Sequence, residues 1–235
     1  MIEESDFEVY LYVSPNKFSI SVFTKFNSKT IYFKEHLFNS NKTNISQQEL
    51  ENFISQNIFS IEKLLNQFVN IIYLILDTNQ FFEVNFGIKK QINHIHIDLV
   101  KERIELLQKI KNEIKKNYMN TEIIHFVITK YIFDDLVSND FIKNQSCKNF
   151  CLETKLICIK NQDILYFENI LGKYHILLKK IISNQYASNL VLDKKISECE
   201  MGFKIISGFN KNEVFLLPKN VENRGIFEKF FNLFG

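Results

Sequence analysis

The sequence is poor in several residue types: among 235 residues it has no tryptophan, two prolines, six glycines and a single alanine, Ala187. Lysine, asparagine, isoleucine and phenylalanine are abundant instead. A strongly AT-biased genome produces this composition, so the many lysines and asparagines carry little functional information. The same bias blurs any motif that depends on glycine. Hydrophobic residues still make up 46% of the chain, which argues against an intrinsically disordered protein.

The chain also lacks clustered charge and long apolar runs. Its formal net charge is +2, with lysines spread along the whole sequence. A nucleic-acid-binding protein needs concentrated positive charge to displace counterions, so we expect no nucleic-acid partner. Residues 1–6 contain no apolar segment of a signal peptide. The longest apolar run, 69–76, is shorter than the roughly 18 residues that span a bilayer, so we expect a cytoplasmic protein.

A zinc or redox site is not indicated by the cysteines and histidines. The four cysteines, Cys147, Cys151, Cys158 and Cys199, contain one Cys-x3-Cys pair without a second pair of ligands. His94 and His96 share one face of a predicted strand but have no other ligands at suitable spacing. We expect free thiols and no metal; a redox or metal role for the first two cysteines is a distant alternative.

The first third of the sequence predicts an antiparallel strand group, a helix and a buried strand. Alternating apolar and polar residues predict the strands 7–13, 18–25 and 30–37. Ser46 and Glu49 form a capping-box pattern in front of a helix with an apolar stripe. The continuous apolar run 71–76 is typical of a strand that is covered on both faces.

The rest of the sequence predicts a second group of strands and helices. Residues 82–97 suggest two short strands, and Asp98 can cap a helix that runs to Asn117 with its Lys, Glu and Arg residues in solvent. The remaining predictions are strands 121–133 and 151–159, a helix over about 163–180, a return of 183–192 to the strand 71–76, and a hairpin formed by 203–207 and 213–217.

Residues 122–202 carry a series of short motifs in a characteristic order. An apolar run with His125 is followed by Tyr131-Ile-Phe-Asp134, Phe141-Ile-Lys-Asn144, an alternating strand, a helix, Tyr186-Ala-Ser188 and Glu200-Met-Gly202. This order and spacing resemble the FtsA family of bacterial cell-division proteins, in which the same tripeptide occurs. The resemblance covers about eighty residues.

The resemblance implies an α/β (α+β) fold: a truncated, actin-like half-fold with an inserted strand-helix-strand-strand subdomain and without the second actin-like domain. The implied parts are the first part of the first subdomain (7–79), the inserted subdomain (80–180), a return to the first subdomain with a remnant hairpin of the second domain (181–218), and a linker with a C-terminal helix (219–235).

The two phosphate-binding turns of an actin-like ATPase are degenerate in this sequence. In the first turn, Tyr12 replaces the aspartate, Ser14 replaces a glycine, Pro15 removes a backbone N–H, and only Lys17 matches. The second turn, beginning at Ser207-Gly208, has no aspartate and one glycine. We expect no cofactor and no ATPase activity, and a solvated Lys17.

The C-terminal residues predict a short amphipathic helix. Its apolar face consists of Ile226, Phe227, Phe230, Phe231 and Phe234. The family resemblance implies that this face contacts the inner membrane; the alternative is that the helix docks on the domain.

The resemblance, together with the degenerate phosphate turns, therefore implies a non-catalytic cell-division adaptor, peripheral on the cytoplasmic face of the inner membrane. Its expected partners are divisome proteins, or a second copy, bound through the inserted subdomain. Direct FtsZ binding is not implied, because FtsA binds FtsZ through the large domain that this sequence lacks. The alternatives are an actin-like scaffold of a pilus or secretion assembly and a still-active, atypical actin-like ATPase.

Overall fold

A computed structural model describes residues 6–38, 43–92, 98–193 and 195–214. His94, His96 and the predicted membrane-binding residues 226–234 lie outside the described residues. The strands are β1 (Phe7–Val13), β2 (Lys17–Thr24), β3 (Thr30–Leu37), β4 (Ile71–Leu76), β5 (Phe82–Gln91), β6 (Thr121–Phe133), β7 (Leu136–Ser138), β8 (Asn149–Lys160) and β9 (Leu177–Ser183). The helices are α1 (Gln47–Leu65), α2 (Leu99–Asn117), α3 (Asn161–Gly172), α4 (Asn184–Leu190) and α5 (Glu198–Ile206).

The larger sheet has five strands in the order β3-β2-β1-β4-β9. Its two hairpin pairs, β1 with β2 and β2 with β3, are antiparallel. The pairs β1 with β4 and β4 with β9 are parallel, with Leu11 opposite Leu74 and Leu74 opposite Ile181. Parallel neighbours need long crossover connections, and α1 lies in the crossover from β3 to β4.

Helices cover both faces of this sheet. Alternation along β1 places Val9, Leu11 and Val13 in one apolar core, together with buried side chains of α1 and α3 such as Ile54 and Phe167. On the opposite face, the ring of Phe203 in α5 lies 5.7 Å from Tyr10 and 4.9 Å from Phe23, measured between ring centroids. The central strand β1 is therefore buried on both sides, and the sheet is the middle of three layers.

The smaller sheet has four strands in the order β5-β8-β6-β7. One face is lined by buried side chains of β8 such as Phe150 and Leu152, whereas the intervening Cys151 and Glu153 are partly exposed. Helix α2 begins where the sequence predicts, because the Asp98 carboxylate accepts hydrogen bonds from the N–H groups of Val100 (3.0 Å) and Lys101 (3.3 Å).

The chain divides into two compact units. The first contains the described residues of 1–84, 115–124 and 157–209, and therefore the complete five-stranded sheet with its covering helices. The second contains the described residues of 85–114, 125–156 and 210–214. Within the described part of the chain, no helix has both the length and the apolar character needed to cross a bilayer.

Several local predictions are confirmed. Ser46 caps α1 and accepts a hydrogen bond from the Glu49 N–H (3.5 Å), as the capping-box pattern indicates. The strands predicted at 7–13, 30–37, 71–76 and 121–133 have the predicted bounds.

Other local predictions differ from the structure. Of the two short strands predicted within 82–97, the structure shows one, over 82–91, and residues 93–97 lie outside the described residues. The helix predicted over 163–180 ends at Gly172, and the strand that returns to β4 is Leu177–Ser183, whereas Asn184–Leu190 is a helix. Residues 203–206 belong to helix α5 and therefore form no hairpin strand. Apolar residues in these short segments fit a strand and a helix equally well, and tertiary pairing decides between them.

A further error concerns Arg103, which the sequence places in solvent with the charged face of α2. Its residue exposure is 4%. The guanidinium carbon lies 4.2 Å from the ring centroid of Phe141, and the side chain hydrogen-bonds to Tyr131. A planar guanidinium cation can be buried where it stacks on an aromatic ring and forms a hydrogen bond with a hydroxyl group.

Candidate functional site

The first predicted phosphate turn is the connection between β1 and β2, and two of its backbone donors are already used. The Ser14 N–H donates to the Lys17 carbonyl at 2.9 Å. The Lys17 N–H donates to the Ser14 hydroxyl at 3.0 Å. Pro15 has no N–H to offer. A phosphate bound at this turn would have to displace two internal hydrogen bonds, which makes the turn a poor phosphate cradle.

The side chain of Lys17 is held by carboxylates instead of being solvated. Its ammonium lies 3.0 and 3.1 Å from the two carboxylate oxygens of Glu198, at the first residue of α5, and 3.5 Å from Glu35 in β3. Its side-chain exposure is 23%. Burial alone would lower the pKa of Lys17, but the bonds to Glu198 and then Glu35 outweigh burial and raise the pKa.

Tyr12, which replaces the aspartate, lies at the same site and contacts the residue that follows β4. Its hydroxyl donates a hydrogen bond to the Asp77 carboxylate at 3.2 Å, directly after the end of β4. Burial, and then the negative charges of Asp77 and Glu198, raise the pKa of the Tyr12 phenol against a hydrogen bond with Ser14 that lowers it, so the hydroxyl stays protonated and acts as a donor. The ammonium of Lys17 lies 5.7 Å from the centre of the Tyr12 ring. Cation and ring stabilise each other at this distance.

The site thus combines the predicted residues Tyr12, Ser14, Pro15 and Lys17 with three carboxylates that the sequence analysis missed. These are Glu35, Asp77 and Glu198. A signal existed for one of them, because Ser197 followed by Glu200 is a capping-box pattern that places Glu198 in the first helical turn. Carboxylates at these positions repel a nucleotide phosphate.

The second predicted turn has another role: it ends helix α5. The Gly208 N–H donates to the Ile205 carbonyl (3.1 Å) and the Phe209 N–H to the Lys204 carbonyl (3.1 Å), with Gly208 at φ = 84°. This is the Schellman arrangement, in which a left-handed glycine terminates a helix. Ser207 is the last residue before that glycine and donates its hydroxyl to the Phe203 carbonyl.

The two predicted turns are not brought together. Glu198, which pairs with Lys17, begins α5, and Ser207 follows its last residue. Nine residues at about 1.5 Å per residue separate the two helix ends by roughly 13 Å. A nucleotide that reached both turns would therefore have to run along the length of α5.

The thiols lie in surroundings that keep them protonated. Burial raises the pKa of Cys158 and Cys199 to about 11, and it also raises the pKa of Cys147 and Cys151. Protonated thiols are poor nucleophiles and poor metal ligands. Among the residues that the structure describes, no group of three or more His, Cys, Asp or Glu side chains could hold a metal ion.

A buried polar pair that the sequence analysis did not predict lies in the second unit. The His125 Nδ1 is 2.8 Å from a Glu213 carboxylate oxygen, and the two side chains are 0% and 1% exposed. Residues 212–214 run antiparallel to β6: the Ile128 N–H donates to the Asn212 carbonyl (2.9 Å) and the Val214 N–H to the Phe126 carbonyl (2.7 Å). The pair therefore anchors the last described residues to the sheet.

Comparison with solved structures identifies the architecture. A PilM-PilN type IV pilus biogenesis complex matches with a TM-score of 0.50 and 7% identity, covering 80% of this chain and 50% of that chain. A Bacteroides thetaiotaomicron protein of actin-like ATPase fold and unknown function covers 80% of this chain and 56% of its own, with 14% identity and a TM-score of 0.30. The fold assignment rests on the first of these matches: the fold is actin-like. The chain spans about half the length of these structures.

Comparison of sequences assigns no family. No protein-family profile matches the chain. A telomerase reverse transcriptase from Euplotes aediculatus is 28% identical over 165 residues, which cover 63% of this chain and 16% of that protein. The chain therefore corresponds to about one sixth of that protein's length.

Proposed function

We propose that the protein is a non-catalytic, actin-like scaffold of a bacterial envelope assembly, which acts through protein–protein contacts and not through ATP turnover. The observation that carries the proposal is the ion pair of Lys17 with Glu198. In this turn, the cation that would face a phosphate is neutralised by carboxylates of the same chain. The hydrogen bonds inside the turn support the same conclusion.

The direct test is calorimetric titration of the full chain with Mg-ATP, together with an assay for phosphate release. We expect no binding heat and no release. The variant Glu198→Ala makes the test sharper, because it leaves Lys17 with Glu35 alone. We expect that this variant also does not bind ATP, since Ser14 and Lys17 keep their internal hydrogen bonds. Micromolar binding by the wild type would contradict the proposal, whereas binding by the variant alone would identify Glu198 as the excluding group.

Cell division is the first candidate process for this scaffold, on the strength of the FtsA-like motifs in residues 122–202. The proposed partners are divisome proteins that contact the inserted subdomain, and the proposed location is the cytoplasmic face of the inner membrane. Depletion of the protein in its host should then give filamentous cells without septa.

A pilus or secretion assembly is the second candidate process, favoured by the match to the PilM-PilN complex over 80% of the chain. In that case depletion should leave cell length unchanged and remove surface pili or secreted proteins. The two depletion phenotypes separate the candidates, and both are compatible with a protein that binds no nucleotide.

A further inference from the structure

Strand β5 ends the four-stranded sheet within the part of the chain that the structure describes. It has ten residues, and its side chains alternate regularly between half-buried and exposed. The half-buried side faces α2, because the Lys90 ammonium pairs with Glu105 of that helix at 2.7 Å. The exposed side carries Glu83, Asn85, Gly87 and Lys89. A long edge strand is a template for pairing with another strand.

The backbone groups available for such pairing belong to the odd-numbered residues. The Phe86 carbonyl accepts a hydrogen bond from the side-chain hydroxyl of Thr154 in β8 (3.2 Å), and the Ile92 N–H, directly after β5, donates to the Lys148 carbonyl (2.8 Å). The even-numbered residues of β5 therefore direct their backbone groups toward β8. Because these groups alternate along a strand, the backbone groups of Asn85, Gly87 and Lys89 point away from the sheet.

We propose that two copies of this chain pair through β5, antiparallel, about a two-fold axis at Phe86. In this register, Glu83 of each copy lies opposite Lys89 of the other, which gives two equivalent ion pairs on the solvent face. Val84 lies opposite Ile88 on the α2 face, where both side chains are half-buried. A two-fold interface requires a surface that is complementary to itself. In this register the charges of β5 are complementary, because each Glu83 faces a Lys89.

Gly87 fits the same pairing. A Cβ built on it would meet nothing within 4 Å, so packing within the described chain gives no reason for a glycine. Glycine inside a strand often marks a place where another backbone approaches closely. In the proposed register Gly87 lies opposite Asn85 of the second copy, directly beside the axis.

The β3 edge of the larger sheet is less suited to this role. The pairing of β2 with β3 shifts register between Val22 and Phe23, and such irregularities twist an edge away from further pairing. Strand β5, in contrast, offers a second copy a regular strand and complementary charges.

The test is a charge swap followed by sedimentation velocity of the full chain over a range of concentrations. We expect the wild type to dimerise reversibly. Glu83→Lys and Lys89→Glu should each weaken dimerisation at least five-fold, because each replaces two attractive cross-strand pairs by two repulsive ones. The double variant restores opposite charges and should recover the wild-type dissociation constant within about two-fold.

Lys101→Glu, on the exposed side of α2, is the matched control and should leave dimerisation unchanged. A wild type that stays monomeric at every concentration would overturn the proposal. So would single variants that dimerise as well as the wild type, or a double variant that fails to recover. None of these outcomes depends on nucleotide, so failure of this proposal is distinguishable from failure of the proposed function.

Discussion

At the scale of single residues, Gly202 determines how closely α5 approaches β4. A Cβ at this position would lie 2.6 Å from Cγ1 and 2.7 Å from Cδ1 of Ile75, which is fully buried. Gly202→Ala should therefore lower the free energy of unfolding by roughly 1–3 kcal/mol, the usual cost of overpacking a core. Chemical denaturation with urea measures the change.

Gly172 provides the control, because it is also a helical glycine, but a Cβ added to it would meet nothing within 4 Å. Gly172→Ala should leave stability unchanged or raise it by up to about 1 kcal/mol, since alanine loses less backbone entropy in a helix. Equal stability losses for the two variants would show that close packing at Ile75 is not the reason for Gly202.

Single residues also show where sequence reasoning succeeds and where it fails. Ser46 and Asp98 are predicted correctly as helix caps, because a cap depends on the residue itself and its immediate neighbours. Arg103 and Lys17 are placed wrongly in solvent, because their partners Phe141 and Glu198 are distant in the sequence. The sequence shows that Tyr12 stands in place of an aspartate, but it does not show the hydrogen bond from Tyr12 to Asp77.

At the scale of elements, the buried His125–Glu213 pair attaches residues 210–214 to strand β6. Glu213→Ala removes one partner of a buried polar pair and leaves the other desolvated, which is strongly destabilising locally. We expect faster hydrogen exchange at the Ile128 and Val214 amides, whose bonds join the two segments.

Lys211→Ala is the control in the same segment. The Lys211–Asp140 pair spans 3.4 Å, but its side chains are 83% and 72% exposed, and exposed pairs contribute little. We expect wild-type exchange rates in this variant. If Glu213→Ala left both amides as protected as before, the backbone ladder alone would anchor the segment.

Whole elements are predicted with uneven success for a physical reason. The strand 71–76 is recognisable because a buried parallel strand is continuously apolar. The segments 177–183 and 203–206 are also rich in apolar residues, yet one is a strand and the other a helix. Periodicity over so few residues does not distinguish a strand from a helix. Pairing with β4 makes the first segment a strand, and the second segment is part of the helix that Gly208 terminates.

At the scale of the whole molecule, the proposed membrane contact depends on residues 219–235. If their apolar face meets lipid, the full chain should co-sediment with anionic liposomes, whereas a chain ending at Asn223 should not. Phe231→Glu should abolish co-sedimentation, because it places a charge in the apolar face at a cost of several kcal/mol. Lys229→Glu on the polar face is the control, with a modest loss that added salt diminishes.

A helix docked on the domain predicts a different pattern. The wild type would then stay in the supernatant, and Phe231→Glu would lower the melting temperature instead. Equal co-sedimentation of the full and shortened chains would remove the membrane contact from the proposed function.

The place of β9 in the larger sheet has a consequence during synthesis of the chain. Strand β4 pairs with β9, but Leu76 and Leu177 are separated by about 100 residues of sequence. At about 5–20 residues per second, a ribosome needs roughly 5–20 s to translate that interval. During this time the backbone groups on the β9 side of the apolar strand β4 have no partner strand. Nascent chains should therefore be chaperone clients until β9 has emerged from the ribosome.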